Sequence, residues 1–180
     1  MKFKTATVQS VFDSPLGRIM LAASPQGLQG AWFVQGQRHM PESTHWPLVR
    51  NNALLQQAED QLRRYFAGAA VDFELALDLD SGTAFQQAVW RALLRIPRGA
   101  TTSYGAISAA VGKPSAVRAV GGAVGRNPVS IIVPCHRVLG QDGSLTGYAG
   151  GLERKIALLR LEGVAVQPAR PATASQRPPG

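Results

Sequence analysis

A change of hydrophobic period partway along the chain limits the fold more than any other property of the sequence. The first 34 residues carry short strand-length runs, "ATVQSVF", "RIMLAAS" and "GAWFV", separated by the turn-forming stretches "DSPLG" and "SPQGLQ". This is the pattern of a β-meander. From Asn51 the spacing becomes helical: Leu54, Leu55, Ala58, Leu62, Tyr65 and Phe66 fall on one face, and Gly68 is placed to end the helix. The following "FELALDL" alternates apolar and acidic residues with period two, which predicts a half-buried strand. Residues 1–78 therefore read as a small α+β domain with a sheet and one helix.

After a linker over residues 79–82 the chain reads as mainly helical. Thr83 and Gln86 have capping-box spacing ahead of the amphipathic run "FQQAVWRALLRI", which Pro97 and Gly99 close. "SYGAISAAVG" and "AVRAVGGAVG" are two short helices separated by "KPS", with Gly112 and Pro114 in the turn. A pair this close is a helix-turn-helix candidate. "VSIIV" reads as a buried β segment and "LGQDGSLTGYAGG" as a turn-rich loop with two strand-length fragments. In "LERKIALLRLEG" an amphipathic helix is expected, with Leu152, Ile156, Ala157 and Leu159 on its apolar stripe and Gly163 at its end. Residues 83–165 thus form a second domain, and residues 166–180, rich in Pro, Ala and Gln, read as a disordered basic tail. The expected class is α+β: a β-meander domain, then a mainly helical domain carrying the helix-turn-helix and the cysteine.

Charge divides along the same boundary. Residues 1–82 carry a net −1, residues 83–165 a net +7 and the tail +2. A near-neutral half joined to a strongly basic one suggests that the second meets a polyanion, nucleic acid being the usual one; a solubilising surface is the other reading. A single cysteine excludes an intramolecular disulfide framework, and histidines at 39, 45 and 136 have no zinc-ligand spacing. No run of about 18 apolar residues occurs. These properties predict a cytoplasmic protein with no metal and no membrane association.

The second short helix holds Gly121 and Gly122, each costing about 1 kcal/mol relative to alanine in a helix interior. Close approach to an external surface would offset that cost, and so would tight packing on the core. Ala116 and Ala119 share the small-residue pattern, and Arg118 is the long basic side chain projecting from it.

Cys135 ends the apolar run in "VSIIVPCHRVLG". A lone cysteine is commonly a small buried hydrophobe. A reactive one needs a base or a positive charge nearby, because a free thiol with pKa about 8.5 is largely protonated at neutral pH; His136 and Arg137 are immediate candidates. Neighbours on an extended strand point to opposite faces, so either the backbone turns here or the histidine reaches sulfur through a water. The histidine needs a carboxylate to orient it, and the basic half offers Asp142, Glu153 and Glu162. Glu162 sits at a helix C-terminus, where its charge opposes the helix dipole, which marks it for a specific task.

"NPVSIIVPCHRVLG", together with "SYGAIS", "RAVGGAVGRNP", "TGYAGGLERK" and "LLRLEG", strongly resembles the O6-alkylguanine-DNA alkyltransferases, in their compact bacterial form. The match is continuous from about Thr83 to Gly163 and loose before it. The resemblance implies direct-reversal DNA repair: stoichiometric, irreversible transfer of an alkyl group from O6-alkylguanine, and O4-alkylthymine as well, to Cys135, without a cofactor. It implies that His136 deprotonates the thiol through a water, that Glu162 orients the imidazole, and that Asn127 ties the helix pair to the active-site strand.

On the substrate side it implies that Tyr104 helps rotate the nucleotide out and helps the guanine leave. The carbonyls of Cys135 and Val138 would accept from the guanine amine, Tyr148 would form a pocket wall, and the Ala149 backbone N–H would contact O6. Arg118 would fill the gap left in the base stack. Ser103, Ala119, Gly121 and Gly122 would lie on DNA, with the second helix in the minor groove of the duplex, and the protein would act as a monomer. Ala149 stands where some relatives have serine, and Val117 where a smaller alanine is common. Relatives that bind zinc do so with amino-terminal cysteines, which this chain lacks. The alternatives are a non-catalytic protein that binds alkylated lesions, a regulator that senses methylation, and a cysteine hydrolase. Cys135 argues against the first, the absence of a further cysteine-rich domain against the second, and "GYAGG" with the paired helices against the third.

Overall fold

The structure, a computed structural model, describes residues 1–3, 6–43 and 45–166. Three antiparallel strands, β1 (Val8–Ser14), β2 (Gly17–Ser24) and β3 (Gly27–Phe33), form a sheet in chain order, with a bulge at Ala22 and Ala23. Both faces of the sheet are covered, which explains why β2 is buried over six consecutive residues. Ile19, Leu21 and Ala23 join the main core, while Met20 and Ala22 face the other way onto Trp32 and Trp46. Gly30 is required there: its β-carbon would stand 1.7 Å from the Trp32 ring lying across it.

Helix α1 (Ala53–Phe66) packs on the first face through Leu55, Ala58, Leu62 and Tyr65. Asn52 caps it by accepting from Leu55 N, and Gly68 follows with φ +90°, the left-handed conformation that stops a helix. The predicted strand at "FELALDL" does not form. Alternation of half-buried and exposed residues is present from Val71 to Leu77, but the segment touches the sheet at a single bridge between Leu28 and Leu77. Its backbone is held instead by side chains: Gln57 and Gln61 donate to Glu74 O, and Glu74 N donates to Gln61 Oε1. Period two reported burial correctly, yet it cannot report whether a strand finds a ladder partner.

Helix α2 (Ala84–Leu93) starts with the expected reciprocal capping box between Thr83 and Gln86. A two-residue strand β4 (Thr102–Ser103) leads into α3 (Tyr104–Ala110), and a tight turn connects it to α4 (Val117–Gly125). Trp90, fully buried, donates its indole N–H to Ala123 O and locks α4 onto α2. One apolar core runs from Phe12 and Leu55 through Trp90 and Val129 to Leu158, so both halves of the chain share it.

The segment after α4 departs from the expected strand. Residues 129–133 are buried, but they make a tight turn in which Ile131 adopts φ 74° and Ser130 bridges Val133. The turn is pinned to the edge of β3, where Ala31 N donates to Pro128 O and Ser130 N to Ala31 O. Cys135–Arg137 form one turn of 3-10 helix, followed by β5 (Val138–Leu139), parallel to β4. No strand occurs between Gly140 and Gly151, where two strand-length fragments were expected.

Helix α5 (Leu152–Leu161) ends at Gly163, φ +82°. Its buried face is Lys155, Leu158 and Leu159, whereas Leu152 is exposed and Ile156 half-buried. Leu159 faces the core as expected, but the rest of the stripe is displaced because a lysine occupies a core-facing position. No helix among the described residues is long and apolar enough to cross a membrane. The proposed tail, apart from Val166, lies outside the described residues.

Candidate active site

At Cys135 and His136 the backbone coils into a 3-10 turn instead of extending, so consecutive side chains need not face apart. The Cys135 sulfur accepts from the Asn127 side-chain amide at 3.0 Å. The same amide donates to Val133 O at 2.8 Å, and Asn127 Oδ1 accepts from Val129 N at 3.0 Å, so one buried side chain ties down the turn and the thiol together. Burial pushes the thiol pKa up, while the Asn127 hydrogen bond and the positive charge of Lys155 oppose the shift. At rest the group is a thiol, and it needs a base to become a nucleophile.

His136 is fully buried and places Nε2 2.8 Å from Glu162 Oε1. Beside a carboxylate that accepts, Nε2 carries the proton and Nδ1 is left as an acceptor. Nδ1 is buried without a hydrogen-bond partner among the described residues. Burial lowers the histidine pKa against the opposing pull of Glu162, which keeps the ring neutral and able to take a proton.

Glu162 gathers four donated hydrogen bonds. His136 Nε2, Arg137 Nη2 and Tyr65 Oη reach Oε1 at 2.8, 2.8 and 2.7 Å, and Arg137 Nε reaches Oε2 at 2.8 Å. Burial alone would raise its pKa; the hydrogen bonds from His136 and Arg137 outweigh this and hold the carboxyl well below the usual range. Arg137, a candidate for activating the thiol, spends its charge here and on Ile96 O at 2.5 Å.

Cys135 opens onto a cleft of about 230 Å³ that Tyr104, Gly121, Tyr148 and Ala149 also line. That is smaller than the ~300 Å³ at which drug-sized pockets begin, so the cleft suits one flat heterocycle. Tyr104 Oη lies 2.9 Å from Thr146 Oγ1. Val138 is fully buried and is not among the residues that line the cleft; its carbonyl accepts from Lys155 Nζ at 2.6 Å, and the Cys135 carbonyl accepts from Val138 N. Lys155, itself fully buried, has its pKa lowered by burial to about 8.

Of the DNA-side candidates, Gly121 lines the cleft beside Cys135. Arg118 and Ala119 are exposed on α4, while Ser103 uses its hydroxyl to cap α3 by accepting from Ala106 N at 3.1 Å. A β-carbon on Gly121 would meet nothing closer than the Tyr104 ring at 3.8 Å, and one on Gly122 only the Arg126 guanidinium at 3.4 Å. Core packing therefore does not demand them.

Two participants were not anticipated. Arg38, from the loop after β3, lines the cleft, and its backbone N donates to Ala149 O at 2.9 Å. Tyr65 was read only as part of an apolar stripe. Neither carries a local signal, since each reaches the site from far along the chain.

The site therefore presents a turn-mounted cysteine and a histidine–carboxylate pair beside two short helices in a basic half. The comparisons specify the class. Residues 7–79 match the "6-O-methylguanine DNA methyltransferase, ribonuclease-like domain" and residues 84–164 the "6-O-methylguanine DNA methyltransferase, DNA binding domain". The chain is 47% identical to the methylated-DNA–protein-cysteine methyltransferase of Methanosarcina acetivorans, over 86% of this chain and 97% of that protein. It is 51% identical to that of Mycobacterium bovis, over 83% and 88%. The crystal structure of Mycobacterium tuberculosis OGT in complex with DNA superposes with a TM-score of 0.79 at 49% identity, covering 86% of this chain and 91% of that one. The chain belongs to the methylated-DNA–protein-cysteine methyltransferase family, whose members are enzymes of DNA repair by alkyl transfer, and its partner is DNA.

Proposed function

We propose that Cys135 takes the alkyl group of O6-alkylguanine, and of O4-alkylthymine, from double-stranded DNA in a single irreversible turnover. The observation that carries this reading is the buried thiol at the floor of a base-sized cleft, with Asn127 on the sulfur and the His136–Glu162 pair behind it. The thiol proton passes through a water to His136 Nδ1, the ring nitrogen that has no hydrogen-bond partner among the described residues. The thiolate then attacks the alkyl carbon in line with the C–O6 bond. A sulfur–carbon bond forms, the C–O6 bond breaks, and its electron pair leaves with the guanine, assisted by a hydrogen bond from Tyr104. No cofactor enters, because the protein itself keeps the group.

The reactive oxygen is out of reach inside a duplex, so the nucleotide rotates into the cleft. α4 lies in the minor groove, where Gly121, Gly122 and Ala119 permit close approach and Arg118 occupies the vacated stack. Ser103 adds a contact at the start of α3. Tyr148 walls the base, the Cys135 and Val138 carbonyls accept from its amine, and the Ala149 N–H meets O6. The protein acts as a monomer, in the cytoplasm, where an unpaired thiol stays reduced.

The test is transfer from a duplex bearing one O6-methylguanine. Cys135→Ala is expected to abolish transfer and to keep lesion binding; retained transfer in that variant would overturn the assignment of the acceptor.

A further inference from the structure

We infer that Tyr65 is a positioning residue for alkyl transfer: its phenol holds the Glu162 carboxylate in the orientation that serves His136, which makes the amino-terminal half part of the catalytic apparatus. The inference rests on the His136–Glu162 relay just proposed. Tyr65 Oη donates to Glu162 Oε1 at 2.7 Å, across 97 residues of chain and inside the core. It donates to the same oxygen that receives His136 Nε2. The carboxylate holds four donors, two from Arg137, one from His136 and one from Tyr65, and three of them converge on Oε1. Of these four, the tyrosine alone comes from the amino-terminal half.

The junction around this contact is itself built. Arg98 stacks its guanidinium over the Tyr65 ring, 5.4 Å from the centroid. It also donates to Ala69 O at 2.6 Å and Gly68 O at 3.4 Å, just past the end of α1, and to Leu161 O at 3.0 Å, the last residue of α5. One arginine therefore clamps the end of α1 to the end of α5, and Glu162 is the residue immediately following that point. Burial and the neighbouring carboxylate push the Tyr65 pKa far up, so the phenol is a donor at every working pH.

The chemical consequence is a tempered base. Glu162 is anionic, and its charge would raise the basicity of His136; sharing it with Arg137 and Tyr65 weakens that pull. The other charged groups facing the histidine are Arg137 on its own turn and Lys155 on α5, and both lower its pKa further. Tyr65 thus fixes both the direction of the carboxylate and the strength of the base it serves.

Tyr65→Phe removes one hydroxyl and keeps the ring under Arg98. Single-turnover methyl transfer from an O6-methylguanine duplex should fall about three- to tenfold, with DNA affinity unchanged. The acid limb of the pH–rate profile should move up by about half a pH unit or more, because the histidine gains basicity and is protonated at higher pH. Arg98→Gln, which loosens the clamp without touching the carboxylate, should lower Tm and leave that limb in place. A Tyr65→Phe protein with the wild-type rate and an unmoved limb overturns the inference, as does a slower one whose limb stays put. Failure of the wild-type protein itself to transfer would instead overturn the relay on which the inference rests.

Discussion

The Asn127 side-chain amide donates to the Cys135 sulfur at 3.0 Å, and the same nitrogen reaches Val133 O at 2.8 Å. The residue that aims the thiol is therefore the one that closes the turn leading to it. Asn127→Ala leaves Val129 N buried without its partner, at a cost of about 1–3 kcal/mol, while Val133 O keeps the hydrogen bond it accepts from Cys135 N. A urea melt should show destabilisation in that range, and transfer should fall even under conditions where the variant is fully folded. A variant as stable as the wild type would contradict the clamp.

Gly121 offers a test in which stability and function move in opposite directions. A methyl group there meets only the Tyr104 ring, at an ordinary 3.8 Å, so Gly121→Ala should stabilise α4 by about 0.5–1 kcal/mol. If α4 is the surface laid into the groove, the same methyl should weaken DNA binding several-fold. Thermal melts and fluorescence-anisotropy titrations read the two effects separately; higher Tm with unchanged affinity would remove this face from the DNA interface.

Arg118 projects from α4 into solvent and does not line the cleft. Its proposed task exists only on duplex DNA. Arg118→Ala should slow transfer from a duplex at least tenfold while changing the reaction with free O6-benzylguanine less than twofold, an expectation drawn from the few-kcal/mol cost of unstacking a base. Equal losses on both substrates would refute the role.

Glu162→Gln should reduce the transfer rate by an order of magnitude or more with little loss of DNA affinity, since the amide orients the imidazole but supplies no charge. It also strands the Arg137 guanidinium, and breaking a buried pair in this way costs about 3–5 kcal/mol. The pH dependence has a definite sign. A carboxyl held below its ordinary 4.5 contributes stability that is present above 4.5 and lost as pH falls toward the folded value. The Tm gap between wild type and Glu162→Gln should therefore be widest near neutrality and narrow as pH drops below 4.5. A gap independent of pH would mean that the charge of Glu162 does not support the fold.

What could be read from the sequence and what could not divides by the range of the interaction. The capping box at Thr83 and Gln86, the stop at Gly68 and the Gly112 turn are fixed by a few neighbouring residues, and all three appear where the sequence places them. The strand expected at "FELALDL" failed because a ladder needs a partner edge, which periodicity does not report. "VSIIV" is as buried as its composition implies, but Asn127 and the edge of β3 fold it into a turn. The stripe of α5 was right at Leu159 and displaced elsewhere because Lys155 is buried, its ammonium donating to the carbonyls of Val138 and Thr146 that the fold brings near.

The candidate site follows the same rule. Cys135, His136 and Glu162 were identifiable, the last because its charge is poorly placed at a helix C-terminus. Core packing was the alternative reason for Gly121 and Gly122, and a β-carbon at either would meet only ordinary contacts with Tyr104 and Arg126. Tyr65, Arg38 and the Arg137–Glu162 pair are contacts between distant segments, and no local pattern announces them.

The measurement that bears most directly on the account is the intact mass of the protein after incubation with a duplex carrying one O6-methylguanine, followed by peptide mapping. The account predicts a gain of one methylene, located on Cys135 and saturating at one per chain. Tight binding to the lesion with no gain in mass would contradict it and leave a protein that recognises alkylated DNA without repairing it.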